Sequence, residues 1–469
     1  MPPQSAAPVA RSSFFSSDTR SLTVGILLGV TLVAFEALAV VTIAPLFAAD
    51  LDGVALYGWV FSGLLLASLV GAVLGGRMAD AGSLARPLLL GLGLFGGGLA
   101  VSGFAPSMVM LIVGRVLQGL GGGALSTVMY AAINRAYPDH LRARMMALMS
   151  SAWIVPALLG PTLAGFVAEA LHWRWVFWGI LPLLVLVAAL TVRPFAELQS
   201  GAPRPVGRER DTRLGSALIL SLGAGLFLFG VGVESLWLAL VCVVPGAALA
   251  GLGLSALLPS GALRLARGLP SVVAARGTLF AAFIGVEAFL SLMLTAVHGH
   301  STAVTGFVIA TGAISWSGGA WLQSRLDEKH ADKRALRVFA GMVLLTVGIC
   351  VQVLALLLDT APLAVVVGGW VLAGLGIGMA HATSSVLAFA LAPEGEVGSV
   401  SAALQISDQF MAAVSTGVGG ALFALAARLG WDERSGIMLA FAFVMLLAML
   451  GLVASWRTDA RAGAAARDA

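Results

Sequence analysis

Gly114-Arg115-Val116-Leu117-Gln118-Gly119-Leu120-Gly121 returns 255 residues later as Gly369-Trp370-Val371-Leu372-Ala373-Gly374-Leu375-Gly376. The same offset carries Pro138 onto Pro393. Glu36-Ala37 meets Glu287-Ala288 at an offset of 251, and Leu56-Tyr57-Gly58-Trp59-Val60 meets Val304-Thr305-Gly306-Phe307-Val308 at 248, taking Arg77 onto Arg325 and Asp80 onto Glu328. A drift of only a few residues over five apolar segments marks an internal duplication rather than a shared taste for Gly and Leu.

The duplicated segments are apolar and long. Of the 469 residues, 59% are hydrophobic and 11% are charged, with a mean hydropathy of +0.98. Soluble domains carry about 25% charged residues, so this chain has too few to cover a water-facing surface, and a soluble enzyme, a disordered scaffold and a secreted disulfide domain are excluded together. Crossing about 30 Å of hydrocarbon takes roughly 20 apolar residues. Such runs occur at 22–48, 55–75, 87–104, 107–134, 143–170, 174–192, 214–231, 236–257, 273–297, 302–323, 338–357, 363–391, 398–427 and 435–456, which makes fourteen. The first is too long for the core of a cleaved signal and reads as a span.

An even count puts both termini on one side. Assigning the loops alternately, 23 of the 27 basic residues share that side, Arg276 counted among them; Arg174, Arg428 and Arg434 fall opposite, and Arg115 lies within a span. The excess predicts cytoplasmic termini and a location in the cell's inner (plasma) membrane. The expected fold is an all-α polytopic membrane protein of two six-helix repeat bundles plus an inserted two-helix pair. Its divisions are a tail at 1–21, a first bundle at 22–192, a linker and inserted pair at 193–270, a second bundle at 271–457 and a tail at 458–469. Repeats of this kind place the substrate near the midplane where the halves meet, and one half rocks on the other.

Two lysines, Lys329 and Lys333, and scattered arginines give no basic face for nucleic acid despite a net charge of +4. Cys242 and Cys350 lie inside apolar runs and read as small buried hydrophobes. A nucleotide loop, a Gly-x-Ser-x-Gly elbow and a His-Glu-x-x-His helix are all missing from the sequence, so neither ATP-driven pumping nor enzymatic chemistry has visible machinery.

Ionisable residues at bilayer depth cost about 2.5–3.5 kcal/mol each on insertion scales and are functional candidates by default. Here they are Glu36, Arg115, Glu287 and Asp408, three acids against one base, with His381 a titratable neighbour in kind. Arg115 offsets one acid, which leaves at least one of the others in low dielectric without an evident partner. Two readings stay open for each acid: Glu36 and Glu287 either exchange protons or hold a kinked backbone, and Asp408 shares a helix face with Gln405 and Gln409, as a water-lined funnel also requires. Phe35, Gln118, Trp153, Met293, Trp316, His381, Gln405 and Phe410 are candidates for a lipophilic cargo cavity. The same residue types also pack helices.

Several of these stretches resemble motifs of the major facilitator superfamily, and within it the fourteen-span drug–proton antiporter branch. Gly76-Arg77-Met78-Ala79-Asp80 with Arg86 is similar, in part, to its cytoplasmic loop signature, and Arg325 with Glu328 forms a fainter copy. Arg115-Val116-Leu117-Gln118-Gly119 is similar to the fourth-span signature, whose arginine is implicated in proton transfer. Gly160-Pro161-Thr162-Leu163-Ala164-Gly165 resembles the fifth-span antiporter signature. The resemblance implies a proton-coupled exporter of lipophilic or amphipathic small molecules, driven by the proton gradient without a cofactor and working as a monomer. Glu36, Arg115, Glu287 and Asp408 would couple protons, with Arg115 paired to Glu36 because the first and fourth spans line one cavity in that family, and Gly76, Arg77, Asp80, Arg86, Arg325 and Glu328 would form a cytoplasmic gate. The alternatives are export of an endogenous lipid or glycolipid and, from another class, a non-transporting membrane receptor or scaffold.

Overall fold

The computed structural model describes residues 20–198, 212–394 and 396–459. Most of the arginine-rich linker and nearly all of both expected tails lie outside the described residues. Within them every regular element is a helix: α1 Arg20–Asp50, α2 Tyr57–Asp80, α3 Ala85–Gly103, α4 Met108–Ala136, α5 Asp139–Ser151, α6 Ile154–Ala170, α7 Arg174–Trp178, α8 Ile180–Glu197, α9 Thr212–Gly232, α10 Leu236–Leu257, α11 Leu269–Leu292, α12 Thr302–Lys329, α13 Arg334–Leu357, α14 Leu363–Ala390, α15 Val397–Arg428 and α16 Glu433–Trp456. Lipid offers the backbone no hydrogen bonds, so each crossing segment satisfies its own. Four helices that begin at one end of the molecule are capped there by a side chain: Ser107, Ser235, Ser301 and Asp432 accept the amide of the residue three positions on, at 3.0–3.4 Å.

Thirteen helical segments are long and apolar enough to cross a membrane. The fifth expected span, 143–170, is not among them, because it breaks into the 13-residue α5 and the 17-residue α6, with Ala152 and Trp153 between them. Pro156 is the reason. Its ring would clash with the carbonyl of residue 152 in a continuous helix, whereas the first turn of a new helix tolerates it. The sixth span is likewise interrupted at Gly179, between α7 and α8, and runs on to Glu197 rather than ending at 192.

Packing follows the duplication. In the first half α4 lies against α2 and α3, and α1 against α6 and α8; in the second α14 lies against α12 and α13, and α11 against α15 and α16. The halves meet along α6 with α12, α2 with α15, and α1 with α11. Several contacts that join them lie at the end where α2 and α12 begin, the rim. Tyr57 donates its hydroxyl hydrogen to the Ala288 carbonyl at 2.8 Å, and the Ala303 amide donates to the Glu169 carboxylate at 3.0 Å. A Cβ on Gly58 would sit 2.5 Å from the Thr416 carbonyl and 2.8 Å from the Gly420 Cα, so only glycine lets these two helices cross there. The deepest of the polar links, from the Ser68 hydroxyl to Gln409 Oε1 at 3.4 Å, lies near mid-depth. The opposite end, the base, carries the start of α1 and the end of α16. At the base, Arg77, Asp80, Arg86, Arg325 and Glu328 are all exposed.

The α9–α10 hairpin packs through α9 against both α2 and α15, along one of the seams between the halves. The Ser221 hydroxyl donates to the Leu66 carbonyl at 3.0 Å. Leu220, Ala224 and Leu228 join Leu66, Leu69, Phe410, Ala413 and Val418 in a common apolar cluster. Large exposed apolar side chains, such as Leu222, Trp237, Leu252 and Leu446, line the outside of the molecule, as a lipid-facing surface requires.

Candidate functional site

Two buried polar centres and one solitary acid occupy the interior. Glu36 lies near the middle of α1, about 24 Å from its first residue at 1.5 Å per residue. The Arg115 guanidinium, on α4, forms an ion pair with it, and both side chains are 2% exposed. Arg115 Nε also donates to the Val60 carbonyl of α2 at 3.2 Å. Its Nη1 reaches Gln118 Oε1, and Gln118 Nε2 reaches the Ser102 hydroxyl at 3.5 Å. Four helices thus supply one network, and every hydrogen-bonding arm of the buried charge that reaches α2 or α4 finds an acceptor. Gln118, a cavity candidate by sequence, is fully buried as a member of this network.

The second centre corrects the count of one base at depth. Arg276, assigned by sequence to a loop, lies inside α11 and is buried. Its Nε donates to both carboxylate oxygens of Asp408 on α15, at 3.2 and 2.9 Å, and its Nη2 lies 2.9 Å from Oδ2. His381 Nε2, on α14, faces the same Oδ2 at 3.2 Å. Arg276 Nη1 reaches the His381 carbonyl at 3.3 Å and the Ser385 hydroxyl. Asp408 is therefore paired, and His381 belongs to a polar cluster. The signal was present in the sequence, since the ninth run, 273–297, already enclosed Arg276.

Glu287 is the third acid. It occupies the place on α11 that Glu36 occupies on α1 and is 5% exposed. Among the described residues no hydrogen bond or ion pair engages its carboxylate, and its helix leaves α-geometry six residues on, in a π turn at Met293–Val297. At the position equivalent to Arg115 stands Trp370, fully buried and stacked on Phe283 with ring centroids 4.5 Å apart.

The remaining candidates separate by environment. Phe35 is half-buried beside Gly160, and Trp316 is half-buried against Phe280, Phe283 and His381. Met293 is fully buried in the core, and Phe410 packs between α2 and the hairpin. Gln405 is exposed, as is Trp153 at the α5–α6 break. In the fifth-span motif, Gly165 and Pro161 lie on the α6–α12 seam. A Cβ on Gly165 would stand 2.6 Å from the Thr302 carbonyl, and Gly306 of α12 abuts the Pro161 carbonyl. Arg135 ties the base end of α4 to the loop after α2, donating to the Gly82 and Ala79 carbonyls at 2.6 Å. Cys242 is buried as expected, but Cys350 is exposed on α13. His298, just after the π turn, has a buried Nε2 without a partner among the described residues; burial, then the neighbouring His300 and Arg434, hold it below the ordinary histidine range. No group of three or more metal-ligating side chains gathers among the described residues.

The family description of the Major Facilitator Superfamily matches residues 26–416. A probable multidrug-efflux transporter of Mycobacterium tuberculosis is 29% identical, over 92% of this chain and 93% of its own length. The multidrug resistance protein 3 of Bacillus subtilis is 29% identical over 39% of this chain and 35% of its own length. Among solved structures, a D-xylose–proton symporter superposes with a TM-score of 0.66 at 16% identity, covering 94% of this chain and 98% of that one. An inward-facing bacterial homologue of the human lysosomal transporter Spinster gives 0.62 at 16% identity, over 95% and 97%. At such identities the solved structures are similar in fold alone.

Proposed function

The chain belongs to the Major Facilitator Superfamily of transporters, and on that premise we propose that it is a proton-coupled exporter of lipophilic or amphipathic small molecules. The observation that carries this reading is the pair of repeat-equivalent acids at mid-depth, Glu36 bound to Arg115 and Glu287 without a partner among the described residues. A carboxylate held by an arginine across two helices is released when those helices shift, so its proton affinity changes with conformation. A second acid with no counter-ion accepts a proton or a cation without breaking an existing pair. Together they provide the differential binding that exchange of proton against cargo needs.

In the proposed cycle Glu36 and Arg115 exchange a proton against substrate, with Glu287 as the second titrating site. Asp408, already held by Arg276, serves there through its cluster. The relatives named as multidrug transporters support small-molecule cargo, and the half-buried Phe35 and Trp316 suit a lipophilic one. The base is the cytoplasmic end in this reading, which the basic residues favour, and the membrane is the cell's inner (plasma) membrane. Proteoliposomes test the proposal directly. Glu36→Gln is expected to abolish dye export driven by a pH gradient, whereas full retention would falsify the assignment.

A further inference from the structure

The second half carries a half-open aromatic wall that the proton-coupling residues do not explain. Helix α11 is enclosed by protein: from 271 to 294 only Ala274, Phe280 and Ile284 are not buried. Phe280 and Ile284 are four residues apart and so share a face, and their partial exposure on an enclosed helix marks an internal space. Trp316 of α12 borders the same space. The lipid-facing stripe of α12 runs through Phe307, Ile314 and Trp321, each at least half exposed, and residue 316 projects about 200° around the helix from 314. His381 of α14 completes the wall, its side chain 20% exposed.

The three rings are mutually arranged. Trp316 meets Phe280 at 6.2 Å and 76°, and His381 at 5.5 Å and 70°. Phe280 and His381 lie 5.9 Å apart, inclined by only 34°. One ring is therefore roughly perpendicular to two that are nearly aligned, which forms a corner with aromatic sides. Behind it the Arg276–Asp408 pair holds His381 by its ring nitrogen and its carbonyl, so the imidazole is fixed in place without an added net charge. The corresponding positions of the first half are Gly29, Ser68 and Ser126. The wall is thus a property of the second half, not of the shared repeat.

We propose that Phe280, Trp316 and His381 form the cargo-contacting wall of the transporter, and that it selects molecules with a flat aromatic ring system. Such a cargo gains offset-stacked and edge-to-face contacts here that an aliphatic molecule of equal lipophilicity does not. This inference rests on the export reading and names the cargo class of that same cavity.

Two monocations of different shape supply the test: ethidium, which is planar and aromatic, and tetrapentylammonium, which has no ring. Binding to the full-length protein in lipid nanodiscs is measured by calorimetry, alongside export from proteoliposomes. Trp316→Leu and Phe280→Leu are expected to weaken ethidium by about tenfold, the equivalent of one lost aromatic contact, and to leave tetrapentylammonium within about twofold. Trp316→Phe keeps a ring and restores most of the ethidium affinity. Parallel losses for both probes reveal a packing role and overturn the inference, as does unchanged ethidium binding. If the wild-type protein binds and exports tetrapentylammonium but not ethidium, the inference fails and the export reading stands; binding and export of neither overturn both.

Discussion

At equivalent places in the two halves, Arg115 and Trp370 perform the same packing task with different chemistry. Arg115 Nε donates to the Val60 carbonyl of α2 at 3.2 Å, and Trp370 Nε1 donates to the Ile309 carbonyl of α12 at 3.3 Å. Both side chains are buried and both bridge the fourth helix of a half to its second. Only the first carries charge. Glu36 consequently has a counter-ion while Glu287, its repeat partner, has none among the described residues, and the second half places an arginine on α11, against Asp408. Duplication preserved the helix-to-helix bridge because packing demands it, and left the electrostatics free to diverge.

The comparison is broken most severely at Arg115. Replacing it with Leu strands a buried carboxylate, so we expect a loss of about 3–5 kcal/mol in unfolding measurements. Most of that should return in the Glu36→Gln/Arg115→Leu double variant. Asp408→Asn tests the other centre, where Arg276 keeps the His381 carbonyl and Ser385 as acceptors. A destabilisation of about 2–3 kcal/mol is expected, smaller than at Arg115 because those partners remain. A result equal to that of Arg115→Leu would mean that the two centres are energetically alike.

At the rim, Gly420→Leu forces a side chain onto Gly58, where a Cβ already lies 2.5 Å from its Cα. Overpacking of this kind costs about 1–3 kcal/mol. Here the cost falls on the rim-closed state, so cysteine accessibility at Tyr57→Cys should rise in the variant. The smallest effect on stability belongs to Glu287→Gln. With no hydrogen bond or ion pair to lose among the described residues, it should change unfolding less than any of these variants, yet weaken the pH dependence of export, which Glu36 alone would then carry. A large destabilisation would show that Glu287 holds the backbone rather than a proton.

The spans, their order and the duplication were legible because lipid imposes a simple rule on composition, and a chain with 11% charged residues obeys it almost everywhere. Glu36 with Arg115 was legible through the family resemblance, which places the first and fourth spans around one cavity; one base among three acids did not by itself choose the partner. Arg276 was misplaced because its run begins a few residues earlier, among the arginines of a loop, and hydropathy places span ends less sharply than span centres. The break between α5 and α6 follows from Pro156, which composition alone averaged into one span.

By itself the sequence determined a duplicated, all-helical membrane protein with a handful of ionisable residues inside, because burying charge in hydrocarbon is costly enough to leave a mark on composition. Which charge meets which, that Asp408 is held by Arg276, that Glu287 has no partner among the described residues, and that α9 lies along the seam of α2 and α15 were decided only by the tertiary structure. The physical reason is range. Hydropathy is a property of each segment and can be summed along the chain, whereas the Arg276–Asp408 ion pair forms over a few ångströms between residues 132 apart in sequence, and only packing brings them together.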